Sequence, residues 1–174
     1  MPRFATAEEA CKDTHVQCLE DPVLIVLHLQ DGNTFSQTLP PPNPIVQFDY
    51  LYVFPGLTLY IEADVAGDKL VNLHMVPANV HPEKTLVLTF QQGGMGGQYG
   101  MAFHIEQPFD RPLKYHAGIM MVETEDGHLK KTSTCPLAPK GGTYETWPDP
   151  IFQLVLGEFR FLDPKSNEVG LCTY

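Results

Sequence analysis

The sequence predicts an all-β fold: one single-domain antiparallel β-sandwich over residues 1–174, immunoglobulin-like in character. Three observations predict it. Apolar and polar residues alternate with period two over short stretches. The clearest case sets Leu57, Leu59, Ile61, Ala63 and Val65 against Thr58, Tyr60, Glu62 and Asp64. Sixteen prolines and fourteen glycines punctuate the chain, and proline is poorly tolerated inside helices and central strands. No long stretch places apolar residues at helical spacing. Short strands joined by turns, without interleaved helices, make a sandwich or a barrel rather than a parallel α/β fold.

The elements follow in order. Residues 1–20 form an irregular segment in which residues 6–10 make one capped helical turn. Residues 23–30 form an apolar strand, and Asp31-Gly32-Asn33 turns it into a partner at 34–39. The proline-rich run 40–44 forces an extended, unpaired crossover between sheets. Further strands are expected at 45–54, 57–65, 71–75, 85–91, 101–106, 113–122, 151–156 and 159–162. Asp126-Gly127 is a hairpin turn, flanked by the solvated carboxylates Glu123 and Glu125.

The register of one hairpin can be read from burial. If residues 101–106 and 113–119 pair symmetrically about Asp110, Ile105 meets Tyr115, Phe103 meets Ala117 and Met101 meets Ile119. Glu106 then faces Lys114, and His104 faces His116 on the outer surface. The segment Gln107-Pro108-Phe109-Asp110-Arg111-Pro112-Leu113-Lys114-Tyr115 resembles the middle hairpin of small bacterial immunoglobulin-like modules. There a short polar turn of the type Asn-x-Ser-Asp-x-Pro-Leu joins two central strands; here Gln107 and Phe109 depart from it. The resemblance covers about twenty residues. It implies a fold and no site.

Composition removes several function classes. The net charge is −10, with 21 acidic and 11 basic residues and one Lys130-Lys131 dipeptide. Nucleic acid needs a clustered basic surface, so it is not expected as a partner. The longest purely apolar run, residues 23–27, is far short of a bilayer span of roughly 20 residues, so no membrane insertion is expected. No apolar stretch precedes the small-residue run Ala5-Thr6-Ala7, so that run reads as a chance match to a signal-peptidase site. Four cysteines allow two disulfides. In an exported protein, periplasmic or extracellular, Cys11 pairs with Cys18 and Cys135 with Cys172; in a cytoplasmic one they are buried free thiols.

Candidate sites are few. His104 and His116, with His74 on the same outward phase, could share zinc or copper if a third ligand joined. The methionines near them suit copper(I), although Met101 and Met121 fall on the core phase. Tyr144 and Trp147 lie in the most unusual loop and could form an aromatic platform for a carbohydrate or a protein chain, unless Trp147 plugs the open end of the sandwich. The glycine-rich run 93–100 lacks the helix that a phosphate loop needs, so it reads as a loop between strands. No Gly-x-Ser-x-Gly nucleophile motif is present. The sequence therefore favours a non-enzymatic binding or interaction module over a metal-binding protein, with a carbohydrate-active enzyme third. It assigns no particular ligand, cofactor or oligomeric state.

Overall fold

A computed structural model describes residues 3–122 and 128–174. It is 53% strand and 8% helix, almost wholly antiparallel. The anticipated turn at Asp126-Gly127, with Glu123 and Glu125, lies outside the described residues.

After a single helical turn, α1 (Ala7–Ala10), capped by the Thr6 hydroxyl on the Glu9 N–H, the strands follow in chain order. They are β1 (Val16–Leu19), β2 (Val23–His28), β3 (Thr34–Leu39), β4 (Asn43–Gln47), β5 (Tyr50–Val53), β6 (Thr58–Ala66) and β7 (Lys69–Val76). Then come β8 (Thr85–Gln92), β9 (Met101–Glu106), β10 (Leu113–Met121), β11 (Lys130–Thr132), β12 (Gly142–Trp147) and β13 (Ile151–Phe161). β7, β6, β8, β9 and β12 form the front layer. β1, β4, β5, β13, β10 and β11 form the back layer. One pair, Arg160 with Lys69, links the layers at the β13–β7 corner. The hairpin β2–β3 is separate, and Val23, Ile25 and Leu27 on its inner phase enter the same core.

The core explains the alternation. Leu59, Ile61 and Ala63 of β6 are buried beneath the front layer, with Phe90 of β8 and Phe103 of β9. Phe103 meets Tyr115 of β10 across the sandwich, edge to face, with ring centroids 6.4 Å apart. Each such large apolar side chain contributes about 1.5–3 kcal/mol by leaving water. The Tyr115 hydroxyl is buried without a hydrogen-bond partner among the described residues, and burial pushes its phenol well above the usual tyrosine range.

Four expectations are corrected. Residues 101–106 and 113–119 do not pair. β9 lies between β8 and β12, whereas β10 lies between β13 and β11. The connection between them is a crossover, organised by the Gln107 side chain, which donates to Arg111 O and Ala138 O and accepts from the Phe109 N–H. The expected strand at 45–54 is two strands, split by a two-residue turn whose Phe48 and Asp49 both take positive φ (51° and 64°). Neither is glycine, so the turn gave no sequence signal. The proline run does lead from the small sheet to the large one, but Asn43 and Pro44 already pair with β1. Residues 151–161 are one strand, interrupted by register shifts between Gly157 and Arg160 and between Ile151 and Gln153.

Both disulfides form, Cys11–Cys18 and Cys135–Cys172, with Cα separations of 6.0 and 4.1 Å. Such bonds belong to an oxidising compartment. The glycine-rich run is a loop between β8 and β9. Its Gly100 admits no side chain, because a Cβ there would lie 1.9 Å from Gly96 O.

Candidate functional site

The outer face of the front layer carries an exposed aromatic stack. Antiparallel pairing sets Thr58, Thr89, His104 and Tyr144 side by side across β6, β8, β9 and β12. The Tyr144 ring is 52% exposed and stacks on His104, with centroids 4.2 Å apart and an interplanar angle of 26°. His104 has an acceptor at each end, Thr143 O 3.2 Å from Nδ1 and Glu106 Oε1 3.0 Å from Nε2, so whichever nitrogen carries the proton is held by a hydrogen bond. The Tyr144 ring therefore rests on a base that cannot turn freely. Beside it opens a cleft of about 460 Å³ lined by His104, Glu106, Gln107, Lys140 and Gly142.

One strand pair further along the same face lies Glu62, an outward-phase carboxylate that is nevertheless buried. Its Oε1 is 3.6 Å from His74 Nε2 and 3.3 Å from Lys84 Nζ, and its Oε2 is 3.2 Å from His81 Nδ1. The hydrogen bond from His81, with help from Lys84, holds the Glu62 carboxyl below the usual carboxylate range despite partial desolvation. His74 is fixed at its other nitrogen, where Nδ1 lies 3.0 Å from Asn72 O.

The remaining sequence candidates are dispersed. His116 stands on β10 in the back layer, where its Nε2 is 3.5 Å from Glu158 Oε2. His104 and His116 are thus on different layers, and the cross-strand geometry expected to let them share a metal is replaced by the pairing described above. Among the described residues, no group of three or more His, Cys, Asp or Glu side chains is arranged to hold a metal ion. Trp147 does not join Tyr144, because an odd separation along β12 puts the two on opposite faces. Trp147 instead packs edge-on against Phe90 at the margin of the core and donates its indole N–H to Thr132 Oγ1 at 2.9 Å.

Sequence reasoning missed Glu62 and Lys114. Lys114 is an outward-phase residue of β10 that is 2% exposed. Its ammonium donates to Thr134 O, to Thr134 Oγ1 at 2.7 Å and to Thr173 O at 2.8 Å. Burial lowers its pKa from the usual lysine value. The alternation marks both residues as surface positions, and only segments distant in sequence reveal that they are covered.

Comparison with protein-family models finds no match, and comparisons with curated proteins and with solved structures find none.

Proposed function

We propose that this chain is a non-catalytic β-sandwich binding module. Its binding face is the front layer around Tyr144, His104 and Glu106, and carbohydrate is the ligand class that fits this face best. The observation that carries the reading is an exposed aromatic ring held rigid by a pinned histidine, next to a polar cleft. An aromatic face gives a sugar ring apolar contact, and surrounding carboxylate, amide and hydroxyl groups supply directional hydrogen bonds. A ring already fixed in place loses little freedom when a ligand arrives. Two disulfides support work outside the cytoplasm, in a periplasmic or extracellular setting. The immunoglobulin-like reading is supported by the two antiparallel layers alone.

Affinity electrophoresis through gels containing soluble β-glucan, xyloglucan or polygalacturonate tests the proposal. At least one polysaccharide should retard the native protein. Tyr144→Ala should weaken that retardation about tenfold, as expected for loss of one aromatic contact, while Tyr144→Phe keeps most of it. Migration unaffected by every polysaccharide, or retardation indifferent to Tyr144→Ala, overturns the assignment.

A further inference from the structure

The back layer carries a second constellation, remote from Tyr144. Tyr50 of β5, His116 of β10 and Glu158 of β13 stand together where β13 shifts register. Glu158 adopts φ of +55°, a left-handed conformation that is costly for a residue with a Cβ. A bulge of this kind re-aims a side chain, and here the carboxylate reaches Tyr50 Oη at 3.2 Å. Burial and the neighbouring Glu158 raise the Tyr50 pKa, so the phenol stays protonated and donates a hydrogen bond to the carboxylate.

Two glycines shape the floor beside this carboxylate. A Cβ on Gly157 would lie 2.2 Å from the Tyr50 ring, and one on Gly118 would lie 2.8 Å from Leu129. The ring and the leucine therefore lie close against the sheet. A cleft of about 300 Å³ remains, with Val155 and Leu129 as apolar lining, Tyr50 and Tyr174 as aromatic walls and Glu158 as its acidic group.

We infer that this cleft is a binding site for a small organic cation, a quaternary or primary amine. Aromatic walls and a carboxylate are the two groups that recognise an alkylammonium, and a chain of net charge −10 draws cations toward it. Two groups in the cleft oppose the ligand: Lys131, exposed on β11, repels a cation, and His116, whose Nε2 lies 3.5 Å from Glu158 Oε2, competes for the carboxylate. That opposition makes the assignment testable in both directions.

Choline chloride is the probe, followed by amide chemical shifts in two-dimensional NMR, with the neutral isostere 3,3-dimethylbutan-1-ol as control. Choline should give saturable shifts confined to residues around Glu158, and the alcohol should not. Glu158→Gln should weaken binding about tenfold, the scale of a partly desolvated cation contact, and Lys131→Gln should strengthen it. Tyr144→Ala on the other layer should leave it unchanged, so this site and the carbohydrate face stand or fall separately. Absence of saturable shifts, equal binding of the alcohol, or indifference to Glu158→Gln overturns the inference.

Discussion

Glu62 and Lys114 are opposite charges in matching positions. Each lies on the outward phase of a strand, one on each layer, and each is buried by chain folded over it. Their covers differ in kind. Glu62 is covered by ionisable partners, His74, His81 and Lys84, which are themselves partly exposed. Lys114 is covered by two backbone carbonyls and one hydroxyl, none of which titrates, with the Glu145 carboxylate adding an attraction at longer range. The segments supplying those oxygens are clamped: Thr134 and Thr173 exchange two backbone hydrogen bonds, and the adjoining Cys135 and Cys172 are joined covalently. A charge can thus be buried by counter-charges, which leaves it sensitive to pH, or by fixed dipoles, which requires the dipoles to be held in place.

The largest expected effect follows from the clamp. The Cys135→Ser, Cys172→Ser double variant should lose about 2–5 kcal/mol of stability in urea unfolding, the usual range for a native disulfide. It should also raise amide exchange at Thr134 and Thr173 before the rest of the back layer. If exchange rises uniformly, the clamp does not act on the Lys114 cover. Next, Lys114→Met should destabilise by about 1–3 kcal/mol, because buried Thr134 Oγ1 loses its donor and Thr134 O and Thr173 O keep only their mutual backbone bonds. A neutral or stabilised variant would show that desolvating the ammonium outweighs its hydrogen bonds, and the two covers would then be less alike than their positions suggest.

Acid titration sharpens the contrast. The Glu62 carboxyl lies below its ordinary value, so the stability it contributes is present above the unfolded value near 4.3 and is lost as pH falls through the folded one. Glu145, half-buried and accepting the Cys135 N–H, is pushed the other way by burial. Its protonated form favours folding, so that stability is present at low pH and is lost as pH rises through the folded value. Melting temperatures between about pH 3 and 7 should therefore fall less steeply on acidification for Glu62→Gln than for the native protein. They should fall more steeply for Glu145→Gln. Parallel curves for all three proteins would remove the distinction. The smallest effect is expected for Trp147→Phe, which keeps the edge contact with Phe90 and gives up one hydrogen bond, about 0.5–1.5 kcal/mol.

Much of the architecture was legible from alternation and turn chemistry. The strands β6, β8, β9 and β10, the β2–β3 hairpin and the capped turn at Thr6 all follow local rules. What was not legible is which strand neighbours which. β9 and β10 both send their apolar phase inward, and that holds whether they pair in one sheet or face each other across the core. Phe103 opposite Tyr115 is a contact between layers, so its parity says nothing about hydrogen bonding. The same ambiguity undid the His104–His116 pairing. It also concealed the His104–Tyr144 stack, which needs β12 to lie beside β9 across thirty-five intervening residues (107–141). Glu62 was invisible for a related reason: its partners His81 and Lys84 come from the connection between β7 and β8, not from a strand face.

The edge position of β12 bears on how this protein behaves in company. The Gln107 N–H donates to Gly141 O, which fixes the parity of the strand. Backbone groups of Thr143, Glu145 and Trp147 turn toward β9, and those of Gly142, Tyr144 and Thr146 turn toward solvent. Lys140 before this open margin and Pro148 after it stand where gatekeepers against intermolecular strand addition are usually placed. Replacing both flanking residues should be felt first as aggregation at high concentration, with the fold of the monomer intact.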